Sequence, residues 1–291
     1  MNVAVFGYSK NAEIVLSFLI EKRVKISFVC FPRTDSIHKT HGIEKICGKY
    51  NILNFEYNPD SIVERLTSLK ANLIFVASFP HILKKEVIDQ PKYGVINLHG
   101  SLLPKYRGAN PLNWALVNGE SETGVTLYYI DEGIDTGDII AQKKVLITPE
   151  DDGATLRNKI YQAGRALLEE TWELFIQGKT VVTKQDDSKA TYYRKRIPGD
   201  GRVDWRLQAS EIDRLVRALV PPWPGAYFFY KGKKVIVSKA YIEIDNKPHF
   251  KPGRVLNVDK KGIAKVTTGY NVLAIEETIP RLDFSKGDRF E

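Results

Sequence analysis

Polar side chains with catalytic potential are concentrated in residues 97–108, which read NLHGSLLPKYRG. Asn97 and His99 are separated by one residue, so on an extended strand their side chains lie on the same face. A histidine can take up a proton, and an amide can donate a hydrogen bond to a developing oxyanion. The later segment 131–138 is acidic and glycine-rich, and its Asp135 carboxylate, placed beside an imidazole, would stabilise the imidazolium. These residue types predict a site for acid–base chemistry.

The elements that would position these side chains alternate between strand and helix. Apolar runs predict strands at residues 3–6, 25–31, 73–77 and 94–98, and amphipathic runs predict helices at 14–20, at 61–69 and from Thr155 to Gly178. This alternation is typical of an α/β fold with a doubly wound, mostly parallel sheet, whose ligands bind beyond the carboxyl ends of the strands. The turn at Gly7 has no second or third glycine, so a dinucleotide or P-loop fingerprint is absent.

A change in composition near residue 184 predicts a second domain. Residues 184–203 are polar and suit a linker, and a helix over 210–219, capped by Ser210 and Glu211, follows it. Short alternating strands are then expected at 227–230, 235–244, 253–258, 263–267 and 272–275, as in a small antiparallel barrel or sandwich. We therefore predict domains at 1–183 and 204–291, joined by the linker 184–203.

The charge of the chain is concentrated outside the sheet domain. The formal net charge is +8, of which residues 204–291 carry +5 and residues 184–203 carry +3, so residues 1–183 are neutral. A positive surface of this kind indicates an anionic partner or improved solubility. The two cysteines predict buried free thiols and a cytoplasmic protein, and the sequence predicts neither a signal peptide nor a membrane span.

Residues 97–108, together with 122–126 (ETGVT) and 134–138 (IDTGD), resemble the signature of the folate-dependent formyltransferases. This family includes methionyl-tRNA formyltransferase, glycinamide ribonucleotide formyltransferase and the nucleotide-sugar N-formyltransferases of surface polysaccharide synthesis. Residues 222–226 (PWPGA) resemble the motif that opens the small C-terminal barrel of the first and third members. The resemblance implies a Rossmann-like formyltransferase domain followed by an OB-like β-barrel.

The resemblance also implies a reaction, in which a formyl group passes from 10-formyltetrahydrofolate to a primary amine without a metal. His99 would be the general base, Asp135 would hold and polarise it, and Asn97 would donate to the oxyanion. The family binds the pterin at the loop after the third predicted strand and the loop before Asp135. The implied folate contacts are Ser78, Phe79, His81, Asp131 and Gly133.

The acceptor amine separates two hypotheses within the family. Residues 98–120 look most like the domain that formylates UDP-4-amino-4-deoxy-L-arabinose, although that domain has Arg at the position of Ala109. We therefore expect a nucleotide-linked, UDP-type amino sugar, with Lys105 and Arg107 as candidate contacts to its diphosphate. Methionyl-tRNA formyltransferase is the alternative, and the basic second domain favours it. The short, mildly basic segment 31–39 disfavours it, because the tRNA enzymes carry a basic, glycine-rich insertion there.

Other classes of protein fit the sequence less well. His38 and His41 have HxxH spacing but no third ligand nearby, and Ser101 lacks the Gly-x-Ser-x-Gly context of a hydrolase nucleophile. A non-catalytic binding module would be favoured only if Asn97, His99 or Asp135 were replaced. A homodimer built through the C-terminal domain is compatible with the sequence.

Overall fold

The computed structural model describes residues 1–32 and 41–291, without the side chain of His41. The candidate HxxH pair and most of the segment 31–39 therefore lie outside the described residues. Contacts divide the chain into two units that interleave in sequence. The first unit comprises Met1–Gly108, Thr123–Val145 and Asn158–Tyr192, and the second comprises Ala109–Glu122, Leu146–Arg157 and Tyr193–Glu291. The domain limits predicted at 183 and 204 stay a prediction.

Strand and helix alternate through the first two-thirds of the chain. The strands are β1 (Asn2–Gly7), β2 (Lys25–Phe31), β3 (Asn54–Glu56), β4 (Leu73–Ala77), β5 (Val95–His99), β6 (Arg107–Gly108), β7 (Glu122–Tyr129), β8 (Ile139–Leu146) and β9 (Tyr192–Tyr193). The helices are α1 (Ser9–Glu21), α2 (His41–Tyr50), α3 (Ile62–Ser68), α4 (Lys85–Ile88), α5 (Pro111–Asn118) and α6 (Gly153–Ile176). In the part of the chain that the structure describes, no helix is both long and apolar enough to cross a membrane.

The first unit is built on a seven-stranded sheet in the order β3-β2-β1-β4-β5-β7-β8. The strands from β3 to β5 are parallel, and β7 pairs with β5 in the antiparallel direction. The predicted mostly parallel α/β sheet is therefore confirmed. Four of its seven strands, β1, β2, β4 and β5, match the strands predicted from apolar runs. The strands β3, β7 and β8 and the helix α5 were not predicted.

Close packing explains two features of the first unit. A side chain at Gly7 would place a Cβ only 2.2 Å from the Ala77 carbonyl oxygen of the neighbouring strand, so this glycine has a packing role. The long helix α6 lies on the sheet, where the position of a Gly164 Cβ is 3.1 Å from Leu98 of β5. The apolar face expected for this helix is buried, with Trp172 packed edge-on against Phe18 of α1. This packing fixes β5, the strand that carries Asn97 and His99.

The second unit contains α7 (Ala209–Ala218) and a five-stranded antiparallel sheet. The strands are β10 (Ala226–Tyr230), β11 (Lys233–Pro248), β12 (Val255–Val258), β13 (Ala264–Thr267) and β14 (Tyr270–Ile279), in the order β10-β11-β14-β13-β12. Ile212 and Val216 of α7 are buried with Phe228 and Leu273 of the sheet. The antiparallel β domain is thus confirmed, and its closure into an OB-like barrel stays a prediction.

The start of α7 differs from the expected Ser210 cap. The helix begins one residue earlier, and the backbone N–H of Gln208 donates to Glu211 Oε2 at 2.9 Å. Glu211 therefore caps the helix as expected, but its partner is Gln208, and Ser210 lies inside the first turn. The predicted cap at Ser210 is wrong because Glu211 is the third residue of the helix, which places the N-cap at Gln208.

Both cysteines are free and buried, as predicted. Burial raises the pKa of the Cys47 thiol to about 11, and burial also raises the pKa of Cys30. Thiols of this kind stay protonated near neutral pH and are poor nucleophiles. They pack as small apolar groups on β2 and α2.

Candidate active site

The Asp135 carboxylate is the centre of a polar cluster at the carboxyl end of β5. Asp135 Oδ2 lies 3.6 Å from His99 Nδ1 and accepts a hydrogen bond of 2.7 Å from the backbone N–H of Gly108. Asp135 Oδ1 accepts a hydrogen bond of 2.5 Å from the Tyr128 hydroxyl. The His99 and Asp135 side chains are 9% and 15% exposed, so little solvent would screen the carboxylate from a proton taken up by the imidazole. The structure therefore brings the predicted base and its carboxylate together.

Asn97 joins this cluster through Tyr128, a residue that the sequence analysis missed. The two residues lie opposite each other in the β5–β7 register, and Asn97 Nδ2 donates to the Tyr128 hydroxyl at 3.0 Å. Burial, and then the Asp135 carboxylate, raise the pKa of Tyr128 well above its ordinary value. The phenol thus stays protonated and continues to donate to Asp135 at neutral and moderately alkaline pH.

The hydrogen-bond partner of His99 Nε2 defines the tautomer of the ring. His99 Nε2 lies 2.9 Å from the backbone carbonyl oxygen of Tyr106. A carbonyl oxygen only accepts hydrogen bonds, so we assign the proton of the neutral ring to Nε2. Nδ1 then carries the lone pair and faces Asp135. The ring is therefore arranged to take up a proton at Nδ1, next to a carboxylate that stabilises the resulting cation.

The loop that carries Asp135 has a constrained backbone. Asp135 has a φ of +55°, in the left-handed region, and Gln185 Nε2 donates both to the Asp135 carbonyl oxygen at 2.8 Å and to that of Gly137 at 2.7 Å. A Cβ at Gly137 would lie 1.8 Å from the Tyr129 carbonyl oxygen, so only glycine permits this close approach to β7. Gln185 is the second site-supporting residue that the sequence analysis missed.

The two candidate diphosphate contacts differ in placement. Lys105 is exposed, whereas the Arg107 side chain is 1% exposed and is held by protein groups. Its guanidinium donates to Gln185 Oε1, to the Tyr192 hydroxyl and to Asp187 Oδ1 at distances of 2.6–3.0 Å. These bonds would have to break before Arg107 could bind a substrate phosphate. Its placement therefore favours a structural role, and of the two residues only Lys105 is accessible to a ligand.

The candidate folate residues lie on two loops. Ser78, Phe79 and His81 follow β4, the parallel neighbour of β5, and therefore lie at the same edge of the sheet as His99. Two rings of this loop pack against Tyr57. The His81 ring stacks on the Tyr57 ring with 5.0 Å between ring centroids, and the Phe79 ring meets it edge-on with 5.1 Å between centroids. An aromatic surface of this kind fits the flat pterin ring of a folate.

Asp131 and Gly133 form a turn on the second loop, after β7. Asp131 Oδ1 accepts hydrogen bonds from the Gly133 backbone N–H at 3.0 Å and from Thr136 Oγ1 at 2.5 Å. The Asp131 carboxylate therefore shapes the approach to Asp135. Both residues are exposed, so the turn is open to a ligand.

Two alternative chemistries find no support in the described residues. Ser101 is fully buried, and its hydroxyl donates to the Lys105 carbonyl oxygen at 2.7 Å. This hydrogen bond stabilises the loop and does not suit a nucleophile. Among the side chains of residues 1–32 and 42–291, no group of three or more His, Cys, Asp or Glu is placed to hold a metal ion.

The fold and the site define an α/β enzyme with its polar cluster at the carboxyl ends of the sheet strands. The sequence pattern described as "Formyl transferase" matches residues 1–171, and the pattern described as "Formyl transferase, C-terminal domain" matches residues 196–282. The chain belongs to the formyl transferase family. Members of this family are folate-dependent transferases that use 10-formyltetrahydrofolate as the formyl donor.

Similar proteins fall into two groups. A methionyl-tRNA formyltransferase from Caldanaerobacter subterraneus is 42% identical over 76% of this chain and 70% of its own length. The bifunctional polymyxin resistance protein ArnA from Wigglesworthia glossinidia brevipalpis is 35% identical over 96% of this chain, which spans only 43% of ArnA. The solved structure of WlaRD, a sugar 3N-formyl transferase, superposes with a TM-score of 0.71 at 21% identity and covers 97% of this chain and 99% of its own. At that identity the likeness to WlaRD concerns the fold.

Proposed function

We propose that this enzyme transfers a formyl group from 10-formyltetrahydrofolate to the primary amine of a nucleotide-linked, UDP-type amino sugar. The main support is the alignment with ArnA, which extends over 96% of the chain, whereas the methionyl-tRNA formyltransferase aligns over 76%. Only residues 32–40 separate the last residue of β2 from the first described residue of α2. This length leaves no room for the basic insertion expected in a tRNA enzyme. The reaction would take place in the cytoplasm.

His99 is the general base in this proposal. 10-Formyltetrahydrofolate would bind at the Ser78–His81 loop and at the turn formed by Asp131 and Gly133, and would supply the formyl group. An amine can attack only after it loses a proton, and the lone pair of His99 Nδ1 accepts that proton. The Asp135 carboxylate, 3.6 Å away, pairs with the imidazolium. When the bond between the formyl carbon and the donor nitrogen breaks, the imidazolium gives its proton to that departing nitrogen, so tetrahydrofolate leaves and His99 returns to its neutral form. Nε2 remains bonded to the Tyr106 carbonyl, so the ring keeps its orientation throughout.

Asn97 stabilises negative charge on the formyl oxygen. Its side-chain amide has two N–H groups, and one of them donates to the Tyr128 hydroxyl. The other is available for the oxygen of the formyl group as charge develops on it. Tyr128 thereby couples the orientation of Asn97 to that of Asp135. No covalent bond to the enzyme is required, because a deprotonated amine is itself a good nucleophile.

The chain of hydrogen bonds through Tyr128 leads to a first prediction. Tyr128→Phe removes a donor to a buried carboxylate and an acceptor for Asn97, so we expect kcat to fall by about 10-fold, the kinetic equivalent of one charge-assisted hydrogen bond. Steady-state kinetics with purified protein measure this loss. Tyr129→Phe is the matched control, since its ring packs towards Phe175 of α6, and it is expected to keep the wild-type kcat. Equal kcat values for the wild type and Tyr128→Phe would show that the Tyr128 hydroxyl does not contribute to catalysis.

The acceptor is tested with a panel of amines. In separate reactions, the enzyme and 10-formyltetrahydrofolate are incubated with a UDP-linked 4-amino sugar, a dTDP-linked amino sugar or initiator methionyl-tRNA. We expect mass spectrometry to show the addition of one CO to a nucleotide sugar, with the higher kcat/KM for the UDP-linked compound. Formylation of the tRNA alone would establish the alternative function, which the 42% identity to a methionyl-tRNA formyltransferase supports.

A further inference from the structure

We propose that Gln185 is a positioning residue for formyl transfer, acting through the Asp135 carboxylate. This inference rests on the catalytic roles proposed above for His99 and Asp135. Gln185 lies 50 residues beyond Asp135 in the chain, in a polar segment that composition predicts to be a linker. In the first unit, however, the segment 185–191 contacts both residues that flank the His99 ring.

The Gln185 side chain uses both ends of its amide. Its Nε2 donates to the carbonyl oxygens of Asp135 and Gly137, at 2.8 and 2.7 Å. Its Oε1 accepts from Arg107 Nε at 3.0 Å and from a terminal nitrogen of Arg107 at 2.8 Å. One side chain thus joins the loop of Asp135 to the segment that follows His99. A carboxylate or a hydroxyl could not make this combination of two donated and two accepted bonds.

Arg107 makes this contact rigid because it is buried. Its side chain is 1% exposed, and its guanidinium also bonds Tyr192 and Asp187. Next to it, the Tyr106 backbone N–H donates to Thr191 Oγ1 at 2.8 Å, and the Arg107 backbone N–H donates to the Thr191 carbonyl at 2.8 Å. The segment 185–191 therefore holds Tyr106, whose carbonyl accepts from His99 Nε2, as well as Asp135, which faces His99 Nδ1.

The backbone of both flanking residues needs this support. Asp135 and Tyr106 have φ values of +55° and +60°, in a region that residues other than glycine rarely adopt. Such conformations persist where surrounding contacts over-determine them, and a displacement of about 1 Å at a catalytic group can cost about 10²-fold in rate. Loss of the two bonds from Gln185 Nε2 is therefore expected to move the Asp135 carboxylate relative to His99 while the fold remains intact.

The test replaces the Nε2 donor of Gln185 with an oxygen and keeps its Oε1 acceptor. Gln185→Glu keeps the pairing with Arg107 but presents a carboxylate to the two carbonyl oxygens. We expect kcat to fall by about 10- to 100-fold, with the KM values of donor and acceptor changed less than about 3-fold and the melting temperature retained. Gln185→Ala, which removes both the donor and the acceptor of the side-chain amide, should lower kcat by at least as much. Gln177→Glu, the same exchange at an exposed position after α6, is the matched control and should be kinetically silent.

A double-mutant cycle separates positioning from a general structural effect. The four proteins are the wild type, Gln185→Glu, Asp135→Asn and the double variant, assayed with whichever panel acceptor the wild type formylates. If Gln185 acts through the carboxylate, adding Gln185→Glu to Asp135→Asn should lower kcat by less than about 3-fold, because the effects of coupled residues are not additive. Additive losses, or a wild-type kcat in Gln185→Glu, would overturn this inference alone. A wild-type kcat in Asp135→Asn would overturn the proposed catalytic roles, and this inference with them.

Discussion

Replacing His99 with alanine is expected to lower kcat/KM for formyl transfer by about 10²- to 10⁴-fold, the usual contribution of a positioned general base. The variant keeps the Asp135 carboxylate and the Asn97 amide but has no group at Nδ1 to accept the proton of the amine. The side chain is only 9% exposed, so its removal should cost some stability, but its Nε2 bonds a single backbone carbonyl on a loop and we expect the fold to survive. Steady-state assays of formylated acceptor measure the effect.

The control for this variant is His249→Ala. His249 belongs to the second unit, and its Nε2 lies 2.9 Å from Asp245 Oδ2, so its replacement tests the effect of removing a histidine that has no role in the proposed mechanism. We expect a wild-type kcat for it. If His99→Ala also turns over at close to the wild-type rate, with its melting temperature unchanged, another residue must be the base.

Asp135→Asn is expected to lower kcat by about 10²- to 10³-fold. The amide has the size of the carboxylate but lacks the charge that stabilises an imidazolium at His99. Its NH₂ group would also face a donor, because the two Asp135 oxygens accept from the Gly108 N–H and the Tyr128 hydroxyl. Either the bond from the Gly108 N–H is therefore lost, or the Tyr128 hydroxyl must stop donating and accept from the new NH₂ group.

The same exchange at Asp138 is the matched control, since Asp138 lies on the same loop and its backbone carbonyl accepts from the Tyr129 N–H. Substitution of its side chain leaves that backbone bond in place, and we expect a wild-type kcat. A kcat for Asp135→Asn equal to that of Asp138→Asn would contradict the role assigned to the carboxylate.

The parts of the site that lie close together in sequence were accessible to prediction. Asn97 and His99 are two residues apart at the end of an apolar run, so strand parity and the geometry of parallel sheets place them on one face at the ligand-binding edge. Asp135 could be proposed from its glycine-rich loop and from the family resemblance. The buried state of Cys30 and Cys47 followed from their number and spacing.

The contacts that a local pattern does not encode were missed. Tyr128 joins the site only because β7 pairs with β5 in the antiparallel direction, and apolar runs carry no information on strand order. Gln185 lies in a polar segment whose composition suits a linker, although its partners are 50 and 78 residues away. Arg107 was a candidate diphosphate contact because a diphosphate needs only one or two cations near the site. Its partners Gln185, Tyr192 and Asp187 follow it by about 80 residues, so its burial could not be inferred.

A competition between acceptors in one vessel tests the central proposal most directly. The enzyme is given limiting 10-formyltetrahydrofolate with equal concentrations of a UDP-linked 4-amino sugar and initiator methionyl-tRNA, and mass spectrometry shows which acceptor has gained the formyl group. His99→Ala in the same mixture measures transfer that does not depend on the site. We predict that the formyl group is found on the nucleotide sugar and that His99→Ala forms little of this product. Accumulation of formylmethionyl-tRNA with unmodified sugar would contradict the proposed acceptor.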